Sequence, residues 1–87
     1  MSVHKAITAH SQKQNTIVTT FARLEEQREH EIEKVVDLCK SGLPFTTDRI
    51  NRFTNEINEV AKEGLTPNRK LVTDEMVKEY VERLSNR

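Results

Sequence analysis

The sequence has few residues of the kinds that end helices or lock a fold covalently. Glycine and proline occupy only four positions, Gly42, Pro44, Gly64 and Pro67, and there is one cysteine. A single cysteine excludes a disulfide within the chain, and the place of Cys39 on the apolar side of its helix favours core packing over nucleophilic chemistry. No apolar run exceeds two residues, which excludes a transmembrane helix and the apolar core of a signal peptide. We therefore expect a cytoplasmic protein.

The apolar content is low for a folded chain. Hydrophobic residues make up 34% of the sequence, against about 45 to 50% in typical soluble proteins. The 14 basic and 14 acidic residues cancel, so no overall field draws the chain to nucleic acid or to a membrane. Thin cores of this size commonly gain stability from disulfides, metals or oligomerisation. We predict a single helical domain, residues 1–87, that associates with itself.

The glycines and prolines divide the chain into three segments with helical periodicity, and no useful length alternates as a strand would. The sequence therefore predicts an all-α protein, with one long helix over about 3–40 and two shorter helices over about 47–63 and 74–85. Thr46 and Thr73 are the expected N-caps of the short helices. Residues 11–14, SQKQ, fit a capping box, so a break in the long helix near residue 11 stays open.

The long helix carries a stripe whose spacings alternate between four and three, as in a coiled coil. After residue 24 two successive steps of four form a stutter, which locally unwinds such a supercoil. The unbroken helix would be roughly 57 Å long, more than the short helices can cover, so we expect a second copy to complete the bundle. The predicted partner seam consists of Ile7, Ile17, Phe21, Leu24, Arg28, Ile32 and Val35.

Charge is distributed unevenly along the long helix. Residues 1–24 contain Lys5, Lys13 and Arg23 and no acid, whereas residues 25–40 contain six acids and three bases. This order opposes the helix dipole and weakens an isolated helix slightly. Two antiparallel copies would place each basic half beside the acidic half of the other. We therefore predict an antiparallel homodimer through this helix.

Arg28 is a charged residue within the apolar line. Glu25 and Glu31, three residues away on either side, could pair with it inside the same helix. Two interpretations stay open. The guanidinium reaches the edge of the seam and remains in water, or it forms a polar layer that sets the register against another helix.

The stretch LEEQREHEIEKVV, residues 24–36, places five glutamates around His30 and raises the question of a metal site. At 100° per residue His30 points almost opposite the apolar stripe. The residue four positions later is Lys34, where a zinc-protease motif requires histidine. We interpret His30, in a row with Glu26, Glu33 and Asp37, as part of a solvated face and predict no metal and no cofactor. No phosphate-binding glycine loop or serine elbow is present, so we predict no enzyme.

Nucleic-acid binding is the alternative function, because the short helices could imitate a helix-turn-helix. Five bases would then reach phosphates: Arg49, Arg52, Arg69, Lys70 and Lys78. The connection between the two helices is about twice the usual three to four residues, and the third helix mixes bases with acids, so we do not favour this reading. A metal-binding helical protein is a weaker alternative.

Three stretches, MSVHKAITAHSQKQ, FTTDRINRFTNEIN and GLTPNRKLVTDEMVKEYV, together span most of the chain. In them the sequence resembles a family of small uncharacterised proteins of Bacillus-type bacteria, a domain of unknown function. The resemblance implies a bacterial, cytoplasmic, helical protein with no known activity, and it supplies no catalytic residues. The expected function is a non-enzymatic, self-associating structural or protein-interaction module. The identity of any heterologous partner is unknown.

Overall fold

A computed structural model describes the backbone of residues 2–86 and the side chains of residues 12–86. Three helices make up this part of the chain: α1 (Ser2–Lys40), α2 (Asp48–Ala61) and α3 (Asp74–Ser85). No strand occurs within residues 2–86. The all-α class and the three predicted helices are confirmed.

α1 is continuous, so the break that the sequence left open near residue 11 does not occur. Thr16 shows how the helix accommodates weak helix formers, because its Oγ1 donates to the carbonyl oxygen of Gln12 at 2.9 Å. The 39 residues of α1 correspond to about 58 Å, and the molecule measures 62 × 23 × 16 Å. α1 therefore defines the long axis. The radius of gyration is 17.7 Å, well above the roughly 12 Å of a compact chain of this length.

α1 ends in a Schellman motif. The amide of Leu43 donates to the carbonyl of Leu38 at 2.9 Å, and the amide of Gly42 donates to the carbonyl of Cys39 at 3.1 Å. Gly42 has a φ of +70°, a conformation in which a side chain would be strained. These bonds satisfy carbonyls at the helix end and turn the chain back toward α2.

A threonine caps each short helix, but the predicted residue is confirmed only for α3, since Thr47 and not Thr46 is the N-cap of α2. Thr73 Oγ1 accepts a hydrogen bond from the amide of Met76 at 3.2 Å, which confirms it as the N-cap of α3. α2 begins at Asp48, one residue later than a cap at Thr46 predicts. Thr46 Oγ1 still accepts from the amide of Asp48 at 3.2 Å, while Thr47 Oγ1 donates to Asp74 at 3.4 Å. The paired threonines thus close the start of α2 and tie it to the start of α3.

α2 and α3 both pack on α1. α2 runs antiparallel to α1, since Ile50 near its start packs with Val35 and Val36, and Val60 near its end lies beside Ile17. Val77 of α3 joins the same core cluster near the C-terminal end of α1. The core therefore occupies the C-terminal two-thirds of α1.

The segment that joins α2 to α3 runs back along α2 in extended form, held by two asparagine side chains. Asn58 accepts from the amide of Arg69 at 2.8 Å and donates to its carbonyl at 3.0 Å. Asn51 does the same to Val72, at 2.7 and 2.8 Å. From Asn51 to Asn58 the helix rises about 10.5 Å, and from Arg69 to Val72 an extended chain spans about 10 Å. The spacing of the two asparagines therefore matches that of the two residues they hold. Leu71, between them, is 53% exposed.

We expect Asn51→Ala to lower the free energy of unfolding by about 2 kcal/mol, because it leaves the amide and carbonyl of Val72 without partners. Denaturant unfolding at one fixed protein concentration measures this. The matched control is Asn55→Ala, an exposed asparagine on the same helix, which should change stability by no more than about 0.5 kcal/mol. Equal losses in the two variants would contradict the clamp.

Candidate functional site

Arg28 lies where α1, α2 and the extended segment meet. Its Nε donates to Thr54 Oγ1 at 2.8 Å, and one of its terminal nitrogens donates to the carbonyl of Lys70 at 3.1 Å. Thr54 is fully buried and donates in turn to the carbonyl of Ile50 at 3.0 Å. We call this set, Arg28 with Thr54 and the Lys70 carbonyl, the Arg28 junction. One side chain joins three parts of the chain that are distant in sequence.

The junction decides between the two interpretations of Arg28. The side chain forms a polar layer against another helix, and that helix is α2 of the same chain. Arg28 is half-buried, and its guanidinium hydrogen-bonds to protein atoms on two sides. A charge-assisted hydrogen bond to a buried hydroxyl is directional, so it fixes how far α2 slides along α1.

The predicted pairing of Arg28 with glutamates of its own helix is wrong. Glu25 Oε1 accepts from Arg69 Nε at 2.6 Å. Glu31, which is largely buried, lies 3.4 Å from Arg49 and 3.6 Å from Lys34. The folded-back chain brings other cations to both carboxylates.

Arg69 anchors the start of the extended segment to α1. Besides its ion pair with Glu25, its guanidinium carbon lies 5.7 Å from the centre of the Phe21 ring. Its backbone is held by Asn58 at the same time. Arg69 thus contacts both helices that flank the segment.

Six of the seven predicted seam residues have described side chains, and apart from Arg28 of the junction they fall into two groups. Leu24 and Val35 are 5% and 6% exposed because α2 and α3 of the same chain cover this part of α1, and Ile32 packs against the same core. Ile17 and Phe21 are half-buried, near the level where α2 ends. The side chain of Ile7 lies outside the described residues. A seam with a second copy stays a prediction.

A surface groove of about 280 Å³ marks the end of α2, and we call it the α2-end groove. Ile17 and Val60 supply its apolar part, and two carboxylates, Glu59 and Glu63, stand at its edge. Thr16 and Thr20 complete the lining. α1 continues about 15 residues past this point toward its N-terminus, roughly 22 Å of helix.

His30 is exposed, as the helical angle predicts. Among the side chains of residues 12–86, no three histidine, cysteine, aspartate or glutamate residues form a group that could hold a metal ion. Glu26, Glu29 and Glu33 are exposed beside His30, as a solvated face requires. Glu25 is half-buried and Glu31 is buried, and both are engaged with cations from elsewhere in the chain.

Two of the five bases considered for nucleic-acid contact lie beside acidic or aromatic side chains of the same chain. Arg69 is engaged by Glu25 and Phe21, and Arg49 lies beside Glu31. An extended segment clamped by asparagines replaces the tight turn of a helix-turn-helix. Within residues 2–86, no helix combines the length and the apolar character needed to cross a bilayer.

Asn51 and Asn58 were not predicted from the sequence. The available signal was their spacing of seven, which puts both on one flank of α2 beside its apolar face. Helical periodicity gives no information about which extended segment such a flank receives. Thr54 was also missed, although it lies at the four-residue spacing from Ile50 that marks the buried face.

Comparison with known proteins gives a consistent result. The profile of a family described as a protein of unknown function, DUF2533, matches residues 1–83. The uncharacterized protein YpbS of Bacillus subtilis strain 168 is 51% identical over 82 residues, which cover 94% of this chain and 96% of that protein. No solved structure matches the chain. The resemblance predicted from the three stretches is confirmed.

A double-mutant cycle tests the Arg28 junction. We expect Arg28→Met and Thr54→Val each to destabilise the protein, and the pair to lose about 1 kcal/mol less than the sum, since both remove one shared hydrogen bond. Denaturant unfolding measures all four proteins. Arg23→Met, at an exposed position of the same helix, serves as the control and should be additive with Thr54→Val. Strict additivity for Arg28 would show that the bond contributes nothing.

Proposed function

We propose that this chain, which belongs to the DUF2533 family of proteins of unknown function, is a non-enzymatic, self-associating helical module. Two copies form an antiparallel homodimer through α1, and the shorter helices of each copy complete a bundle. The protein is bacterial and cytoplasmic in this proposal. Its dimer serves as a structural or protein-interaction unit. The support comes from the part of α1 that extends past the end of α2.

The observation that carries the proposal is the length of α1 beyond α2. α2 has 14 residues and ends beside Ile17, whereas α1 continues to Ser2. A single helix that projects by about 22 Å from its bundle is not stable on propensity alone. This projection joins the bundle through residues 15–20, NTIVTT, which are weak helix formers. A second helix packed along this projection supplies the missing contacts.

The occupied part of the seam restricts where the second copy lies. Leu24, Arg28 and Val35 already contact the chain's own α2 or extended segment, so this face of α1 is closed to a partner from residue 24 onward. The dimer therefore overlaps over the N-terminal part of α1. An antiparallel overlap centred near residue 10 sets position 3 of one copy opposite Ile17 of the other.

This placement changes which acidic residues lie near the basic residues of the partner. With overlap limited to the N-terminal part, the basic residues of one copy do not reach the acidic half of the other copy's α1. The nearest acidic groups are instead at the end of α2, where Glu59 and Glu63 stand beside Ile17. Salt screens such exposed charges, so the dimer depends chiefly on apolar contact and weakly on ionic strength.

Solution mass is the decisive measurement. We expect the native protein at micromolar concentration and moderate salt to have about twice the 10.1 kDa mass of one chain by sedimentation or light scattering. Ile17→Glu should shift it to the mass of one chain, because it places a charge in the seam.

The control for this variant is Thr19→Glu, which adds the same charge at an exposed position on the opposite side of the same helical turn. It should remain a dimer. Circular dichroism checks that both variants are helical. A native mass equal to one chain, at concentrations up to tens of micromolar, would refute the proposal.

A further inference from the structure

We infer that the α2-end groove receives the N-terminal end of α1 from a second copy of the chain. This inference rests on the proposed dimer and names the surface that the partner helix reaches. The groove has an apolar part, Ile17 and Val60, at the junction of two helices. It lies where α2, which packs on α1 within the same chain, ends.

The charges at the groove favour this occupant. Glu59 and Glu63 stand at its edge, and Lys62 pairs with Glu59 at 3.1 Å. Glu63 makes no ion pair with any side chain in residues 12–86. One carboxylate is therefore left for a cation from outside. The first 24 residues of the chain carry Lys5, Lys13 and Arg23 and no acid.

The helix dipoles also favour the start of a second copy's α1 as the occupant of the groove. α2 ends at Ala61, beside the groove, and it has no base in its last turn; Lys62, at its C-cap, pairs with Glu59. The C-terminal end of a helix carries partial negative charge, and the N-terminal end of a helix carries partial positive charge. α1 begins at Ser2 and has no acid in its first turn, so its start keeps its positive end uncompensated. The start of one copy's α1 and the end of the other copy's α2 are complementary.

The geometry of the antiparallel overlap brings these two ends together. When position 3 of one copy lies opposite Ile17 of the other, position 2 lies opposite Val18, at the level of the groove. The partner's α1 then follows the line of α2 and continues its cover of the long helix. Each dimer contains two such contacts, related by the two-fold axis.

Disulfide formation between two positions tests the contact directly. In a Cys39→Ser background, the full chain carries Ser2→Cys together with Glu63→Cys. Within one chain, residue 2 is about 22 Å along α1 from Ile17, far beyond the roughly 7 Å between Cα atoms that a disulfide allows. A link between the two cysteines is therefore intermolecular. We expect a covalent dimer under mild oxidation, seen by nonreducing electrophoresis.

The matched control replaces Glu63→Cys by Glu56→Cys, an exposed position on the same side of α2 about two turns earlier. It should link at least tenfold more slowly. If the native protein is a dimer by mass but the two pairs link at equal rates, the inference fails and the proposed dimer stands. If the native protein has the mass of one chain, both fail.

Charge exchange gives a second test that needs no cysteine. We expect Glu63→Lys to raise the dimer dissociation constant about fivefold at low salt, a change typical of one exposed charge pair reversed to repulsion. Adding Lys5→Glu to the same chain should restore most of the affinity. Glu82→Lys, exposed on α3, is the control and should leave the constant unchanged. No effect of Glu63→Lys, or no rescue, would overturn the assignment.

Discussion

A single guanidinium holds the three parts of this fold in register. Arg28 hydrogen-bonds to Thr54 on α2 and to the Lys70 carbonyl of the extended segment. The hydrophobic effect is non-directional, so it specifies the position of one helix along another less sharply than a hydrogen bond does. A hydrogen bond to a fully buried hydroxyl does not allow α2 to slide along α1 without leaving a polar group unpaired. The position of α2, and through Asn51 and Asn58 that of the segment beside it, depends on this bond.

The features that the sequence predicts correctly are those specified by neighbouring residues. Thr73 caps α3 because the acceptor and the amide of Met76 are three residues apart. Gly42 ends α1 for a similarly local reason. The predicted start of α2 is one residue too early because Thr46 and Thr47 are alike in sequence. The hydroxyl of Thr47 bonds to Asp74, 27 residues away. Local patterns contain no information about that partner.

The polar partners across the fold could not be predicted for the same reason. Glu25 is three residues from Arg28, and proximity in sequence favours their pairing. In the folded chain Arg69, 44 residues away, pairs with Glu25. The stripe predicted that Arg28 faces inward, but it did not distinguish the chain's own α2 from a helix of a second copy. A periodic pattern identifies a face that is covered and leaves open what covers it.

The asparagine clamps have a consequence for how the sequence can vary among relatives. Asn51 and Asn58 bond to backbone atoms of the residues they hold, never to side chains. The clamp at position 72 therefore needs only an amide hydrogen and a carbonyl there, which every amino acid except proline provides. At the clamps, the requirement for a particular side chain therefore falls on the helix, while Arg69 and Val72 of the connection make side-chain contacts of their own, with α1 and with the core. The path of a segment without regular structure is thus set largely by two asparagines that lie outside it.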